Sequence, residues 1–382
     1  MSEWKEYGLA DVYDFASGLS KSADQFGFGS EFVSFKDVFQ NFFLPQKLNS
    51  LVNSSDKEQK SCSVMKGDVF LTRTSETQEE LGMSAVALKD YPKATFNGFA
   101  KRLRPKGTIT ILPEYAGYYF RSKKFRDEVT SMASMTTRAS LNNGMLSALR
   151  IVVPPIEVQK RIGSSLKALD DKIDLLHRQN ATLEKMAETL FRQWFVERSL
   201  SEAEGEAKEE WEIVKIGNLI SIGSGKGLKK ESFIENGLYP ILGANGEIGK
   251  TNEFLFNEKL IYTGRVGTLG NIFRIDKEKV WLSDNTLVVK PIEYFNFIYL
   301  ILKTSRLEDY NVGSTQPLIR QSDINEIEIT LPPKDKLLEF ESLTDKFFKK
   351  IKSNQTQIRT LTALRDTLLP KLMSGEVRVS EL

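Results

Sequence analysis

The chain is written twice. Val153-Pro154-Pro155 recurs as Leu331-Pro332-Pro333, 178 positions later. At that same offset Lys172-Ile173 matches Lys350-Ile351, Leu183 matches Leu361, and Thr189-Leu190 matches Thr367-Leu368. Self-similarity of this kind constrains a fold more than any local motif, because both copies must build the same unit. The period is far too long for a solenoid. Upstream, Trp4 opens "WKEYGLAD" and Trp211 opens "WEIVKIGN". Trp4 precedes its double proline by 150 positions and Trp211 by 121. Two cassettes of different length are therefore each followed by a spacer that keeps register.

The spacers read as long helices. In the first, Ile162, Leu166, Leu169, Ile173, Leu176, Asn180, Leu183, Ala187, Leu190 and Trp194 alternate steps of four and three. Their equivalents in the second are Phe340, Thr344, Phe347, Ile351, Asn354, Ile358, Leu361, Arg365, Leu368 and Leu372. A sustained heptad seam is the signature of a coiled coil. Some 40 helical residues would form a rod of roughly 60 Å. The economical partner for each seam is the other spacer, in an antiparallel pair. Asn180 and Asn354 then face each other and fix the register at some cost in stability. Each double proline ends a strand, because proline cannot donate to a sheet and restricts the residue before it. It can also open a helix, since proline is tolerated in the first turn.

The cassettes read as mixed α/β. "GDVFLT" (67–72), "ALRIVV" (148–153), "LIYTG" (260–264), "NTLVVK" (285–290) and "IEITLP" (327–332) are short apolar runs bounded by turn residues. "AGYYFRSKKFRDEV" (116–129) and "FNFIYLILKTSRLEDY" (295–310) read as helices. Between the halves, "ERSLSEAEGEAKEEWE" (197–212) holds seven Glu and two basic residues and reads as a solvated linker. The organisation expected is a first cassette at 1–155, a helical spacer at 156–198 and a linker at 199–210. A second cassette at 211–333, a second spacer at 334–374 and a short tail at 375–382 follow.

The sequence offers no catalytic set. A single cysteine, Cys62, permits neither an intramolecular disulfide nor a thiolate zinc cluster. The single histidine, His177, lies beside the seam and reads as a helix-surface or partner-facing residue. Asp170-Asp171 reads as a solvated charge cluster on the outer face of the first spacer. "GSGKG" (223–227) lacks the Ser or Thr that a phosphate loop needs after its lysine. "GRVGTLG" (264–270) lacks dinucleotide spacing, and its glycines suit a tight turn where backbone approaches DNA phosphate or another strand. No methyltransferase signature appears. The N-terminus lacks the apolar core of a signal peptide and no run is long enough to span a membrane, so a cytoplasmic protein is expected.

Whole-chain charge nearly cancels, at 53 basic against 51 acidic residues. Locally it does not. Residues 89–150 hold twelve basic and four acidic residues, whereas 1–88 hold eight and thirteen. The positive stretch contains Lys101, Arg102 and Arg104 in "KRLRPK", Arg121, Lys123 and Lys124 in "RSKKFR", and Arg138, with aromatics interleaved. A basic face on a folded domain is the electrostatic footprint of phosphate contact; a solvated helix face is the other reading of "RSKKFR". The second cassette is roughly balanced. Its candidate contacts are Lys226, Lys229, Arg265 and Arg320, with Asn245, Thr268, Ser314 and Gln316 as loop side chains suited to base edges. Arg73, in "KGDVFLTRTSE", completes the set.

Two variable cassettes that end in double proline, each followed by such a spacer, resemble the specificity subunit of a type I restriction-modification system. "KGDVFLTRTSE" (66–76), "GRVGTLG", "GSTQPLIRQSDINEIEITLPP" (313–333) and "LRDTLLPKLMSGEV" carry the same resemblance, which covers essentially the whole chain. The second spacer departs from the usual pattern, with "KDKLLEF" where a glutamine often follows the prolines. The resemblance implies two target-recognition domains held apart by an antiparallel coiled coil. Each domain would read one half of a split, asymmetric site in double-stranded DNA through the major groove, and the helices would set the gap. Two methyltransferase subunits would dock and supply S-adenosylmethionine-dependent N6-adenine methylation, with motor-nuclease subunits joining for cleavage. This chain itself would bind no cofactor and catalyse nothing. A protein scaffold with two binding heads on a strut is the competing class, and a methyltransferase-only system the nearer variant.

Overall fold

The structure, a computed structural model, describes residues 4–75, 80–132, 139–197, 211–266, 269–310 and 317–377. The expected linker at 199–210 lies outside them. The chain divides into two compact units, Met1–Leu175 with Ile358–Leu382, and Leu176–Gln357. Two long helices, α1 (Ile156–Phe191) and α2 (Lys334–Ser374), each contribute one part to each unit.

In the first unit a four-stranded antiparallel sheet holds β1 (Tyr13–Ser17), β2 (Val69–Thr72), β3 (Ser84–Val86) and β4 (Ala100–Pro105), in the order β1-β4-β2-β3. β2 is buried at every residue, which is why Val69-Phe70-Leu71 is an apolar run instead of an alternating one. A smaller sheet joins Ser50–Val52, Phe26–Val33 and Thr95–Phe96, the last pair parallel. Lys5–Gly8 pairs antiparallel with Arg150–Val153 and brings both ends of the cassette together. The second unit repeats this. β5 (Ile220–Ser224), β6 (Lys259–Gly264), β7 (Ile272–Asp276) and β8 (Thr286–Pro291) stand in the order β5-β8-β6-β7. Gly246–Thr251, Tyr239–Gly243 and Trp281–Leu282 form the smaller sheet, and Glu212–Lys215 pairs with Glu328–Leu331. The strand order is the same in both.

The expected helix at 116–129 is two helices, Pro113–Tyr119 and Lys123–Met132. Ser122 intervenes; its carbonyl takes the Arg126 N–H and its hydroxyl the Phe125 N–H (3.0 and 3.5 Å), so a new first turn starts there. The helix expected at 295–310 stops at Thr304 and continues as a 3₁₀ turn, Leu307–Tyr310. The Thr304 and Ser305 hydroxyls donate back to the Leu300 and Ile301 carbonyls, one turn earlier.

Each double proline joins a strand to a long helix. The Pro155 carbonyl accepts the N–H groups of Val158 and Gln159, and the Pro333 carbonyl accepts that of Leu337. Gln159 is buried and makes three bonds. Its Oε1 accepts the Leu112 N–H (2.9 Å), and its Nε2 donates to the Thr110 and Pro154 carbonyls. The second unit has Leu337 at this position. There Glu341, one turn further on, accepts the Phe297 N–H (2.7 Å) at the start of helix Phe295–Thr304. Glu341 corresponds to Gly163, where a Cβ would come within 3.0 Å of Glu114 and Tyr115. So in both units a side chain from the long helix satisfies an orphan N–H of a cassette helix, from positions one turn apart.

Within each unit the two long helices run antiparallel. In the first, Ile162 and Leu166 share a core with Leu369, Leu372 and Met373. In the second, Ala187, Phe191 and Phe195 share one with Leu337, Phe340, Phe348 and Ile351. Asn354 Nδ2 donates to Asn180 Oδ1 at 2.8 Å. Leu176 is buried, while Leu169, Ile173, Leu183, Ile358 and Leu361 are half-buried. Phe348 is more buried than the seam position Phe347, since a 3.6-residue helix drifts against a 3.5-residue seam. Asp170 is not on a solvated face. Its carboxylate accepts the Tyr118 hydroxyl (2.6 Å) and pairs with Arg365 (2.7 Å), while Asp171 faces out and pairs with Lys167.

Candidate nucleic-acid interface

β2 and β6 each deliver an arginine at the same end of the main sheet. Arg73 follows β2, and Arg265 follows β6. The Arg73 N–H donates to the Phe99 carbonyl (2.7 Å), and its own carbonyl accepts the Leu141 N–H (2.8 Å). The Arg265 N–H donates to the Asn285 carbonyl (2.8 Å), and its carbonyl accepts the Ile319 N–H (3.0 Å). Phe99 and Asn285 each precede the neighbouring strand, β4 or β8, and both are exposed. Leu141 and Ile319 are both fully buried. Each arginine backbone is thus fixed by matching anchors, and in both the side-chain Nε is buried without a hydrogen-bond partner.

Around this position the units diverge. Lys101, on β4 beside Leu71, is buried and donates to Ser17 Oγ (2.9 Å) and Asn143 Oδ1 (2.8 Å). Burial holds its pKa below the ordinary lysine value, and Arg73 adds to that. The second unit has Leu287 in place of Lys101, opposite Ser224, and there Gln321 Nε2 donates directly to Ser224 Oγ (3.0 Å). Ser17, Asn143, Ser224 and Gln321 escaped the sequence reading. Two offsets find them. Ser17 and Ser224 stand thirteen residues after Trp4 and Trp211, and Asn143 and Gln321 are 178 apart, as the double prolines are.

One glycine of "GSGKG", Gly225, does structural work at the end of β5. A Cβ on Gly225 would come within 2.1 Å of the Ser283 carbonyl oxygen. Gly18 meets the Asn97 carbonyl in the same way, at 2.3 Å. Backbone crosses backbone here, which only glycine allows.

The other candidates divide by what holds them. Arg104 grips buried Asp68 through two bonds (2.7 and 2.6 Å), and this pairing raises its pKa. Arg102 is buried, donates to the Ser63 carbonyl and lies over Phe96. Arg121 donates to the carbonyls of Val38, Phe39 and Asn41 at the end of helix Phe35–Gln40, and burial lowers its pKa to about 10. These three are committed inside the domain. "KRLRPK", read as surface, is mostly the inner strand β4. Lys123 is exposed and pairs with Asp127, and Lys124 is exposed. Lys226, Lys229 and Asn245 are exposed, Asn245 on a hairpin turn where it accepts from Asn271 (3.1 Å). Arg320 pairs with Asp323. Arg138, Thr268, Ser314 and Gln316 lie outside the described residues. Among the described residues no cluster of His, Cys, Asp or Glu is suited to a metal, and no helix is long and apolar enough to cross a membrane.

The comparisons agree with this architecture. The family model described as type I restriction modification DNA specificity domain matches twice, over residues 1–185 and 208–363. The chain is 28% identical to the type I restriction enzyme MjaIX specificity subunit of Methanocaldococcus jannaschii, across 100% of this chain and 95% of that one. It is 24% identical to the HindI specificity subunit of Haemophilus influenzae, across 99% and 100%. The crystal structure of the type I restriction-modification S subunit from M. genitalium shares the fold, with a TM-score of 0.61 at 18% identity over 97% of this chain and 96% of that one. With its cassettes matched separately and its strand order repeated, the chain belongs to the type I restriction-modification DNA specificity family, whose subunits are non-catalytic.

Proposed function

We propose that this chain is the DNA-recognition subunit of a type I restriction-modification complex, each cassette reading one half of a bipartite, asymmetric site in the major groove. The observation that carries this reading is the pairing of a repeated framework with a divergent rim. Strand order and the Arg73 and Arg265 anchors recur, whereas Lys101 against Leu287 and Asn143 against Gln321 differ. Two copies of one framework with different surface chemistry suit two different half-sites. Phosphate contacts would position each head and loop side chains would read base edges. The long helices would set the gap between half-sites.

Methylation would belong to a partner that binds S-adenosylmethionine. Met186 and Leu364, 178 positions apart, are large apolar side chains 45% and 44% exposed on α1 and α2. Two equivalent apolar spots suit two copies of one methyltransferase subunit, and motor-nuclease subunits would join that core for cleavage.

The test is a cassette exchange. Replacing residues 4–153 with the corresponding cassette of a relative, then mapping host methylation, should change one half of the methylated site and leave the other half intact. Lengthening both helices by whole turns should change only the gap. A site unchanged in both halves after the exchange would sink the reading and favour a protein scaffold.

A further inference from the structure

We propose that Arg73 and Arg265 are the phosphate anchors of the two heads, one contact per half-site, and not base readers. The inference rests on the DNA-recognition reading above and sorts the candidate residues within it.

Three observations carry it. First, the two arginines occupy the same place in both units: directly after the inner strand, with the N–H held by the residue preceding β4 or β8 and the carbonyl held by a buried residue, Leu141 or Ile319. Second, the Nε of each is buried without a hydrogen-bond partner, and among the described residues no ion pair joins either guanidinium to a carboxylate. Buried N–H groups in folded proteins are nearly always bonded, so the same exception at equivalent positions of two diverged copies marks two guanidiniums that no acceptor among the described residues holds. Arg104 and Arg121 have bonded guanidiniums and lack this feature; Arg102 shares the unbonded Nε but spends its Nη1 on the Ser63 carbonyl inside the domain. Third, the neighbours of these arginines have changed while the arginines have not. Lys101, Asn143 and Asn142 correspond to Leu287, Gln321 and Arg320. Two half-sites of an asymmetric sequence differ in their base edges but share the sugar–phosphate backbone. The group that stays the same in both heads is matched to the part of the ligand that stays the same. A guanidinium is also the side chain whose planar fork fits phosphate oxygens.

The experiment uses the full chain co-expressed with its methyltransferase subunits and a pool of duplexes of randomised sequence. The preferred site is selected from that pool, and affinity is then measured for it and for a scrambled duplex across a salt series. R73A and R265A should each weaken binding to both duplexes roughly tenfold or more at low salt. The ratio between the two duplexes should stay constant. Each substitution should reduce the slope of log K against log salt by about 0.9, and R73K and R265K should recover most of the affinity. R73M and R265M should melt at or above the wild-type temperature, because no internal bond is lost. A shift in the preferred bases of one half-site would make the arginine a base reader and overturn the proposal. Unchanged affinity and slope would overturn it too, as would failure of the Met variants to fold. If the wild-type complex itself retains no duplex, the DNA-recognition reading falls first, and that outcome is distinct from the others.

Discussion

Glu341 carries a charge that its surroundings disfavour. Burial raises its pKa above the ordinary carboxylate range, against the backbone N–H bonds from Phe297 and Asn296 that pull it down. A raised carboxyl favours folding while protonated, and that contribution is lost as pH rises through the raised value. E341Q keeps the acceptor and removes the charge. It should raise the thermal midpoint by about 2–4 °C at pH 7–8, the shift that ~1 kcal/mol gives in a unit of this size, and make no difference near pH 4. A midpoint shift independent of pH would show that the charge is not the cause. Gln159 meets the same need in the first unit with a neutral amide. Q159L would leave the Leu112 N–H unsatisfied and should cost about 1–3 kcal/mol in denaturant unfolding. Sequence reasoning singled out Gln159 only through the departure of "KDKLLEF" from the usual pattern. Its counterpart Glu341 was invisible, because a cap displaced by one turn breaks residue-by-residue matching.

At the scale of elements, the helices were legible and the sheets much less so. A heptad seam accumulates over ten positions, and Asn180 facing Asn354 follows from an antiparallel pairing alone. Strands are short, and burial on both faces removes the alternation that would announce them. β4 shows how far this misleads. Its "AKRLRP" reads as surface, yet Lys101 and Arg102 are buried and Arg104 is bound to Asp68. Cations can be enclosed when each finds acceptors inside, and local composition cannot reveal those partners. The Gly-rich strand Phe26–Val33 lacked any apolar run to flag it. The Asn pair offers a test at this scale. N354L alone strands Asn180 and should destabilise by about 1–3 kcal/mol. N180L/N354L should recover that loss while relaxing helix register. A double variant no more stable than the single would remove the pair from any register role.

At the scale of the whole molecule, the repeat is the functional statement. One framework appears twice, and what differs between copies is the rim of each main sheet and the lengths of the connections. The candidate site was only partly legible for that reason. Arg73 and Arg265 lie 192 positions apart, an offset found neither at the tryptophans nor at the prolines, so only the strand register aligns them. If Met186 and Leu364 each receive one methyltransferase subunit, M186D and L364D should each reduce the complex from two such subunits to one, and the double variant to none. Mass measurement of the co-purified complex checks this, and an unchanged mass would place docking elsewhere.

The division of the two long helices between the units has a consequence for synthesis. Residues 176–357 form one uninterrupted stretch that contains a complete core, so the ribosome delivers everything the second unit needs in a single run. The first unit begins earlier but finishes later. Its core includes Leu369, Leu372 and Met373, made long after the cassette at the start of the chain. Domains ordinarily fold in the order they emerge. Here the head translated first is the one left waiting, its apolar face open to chaperones until the far end of α2 arrives to close it.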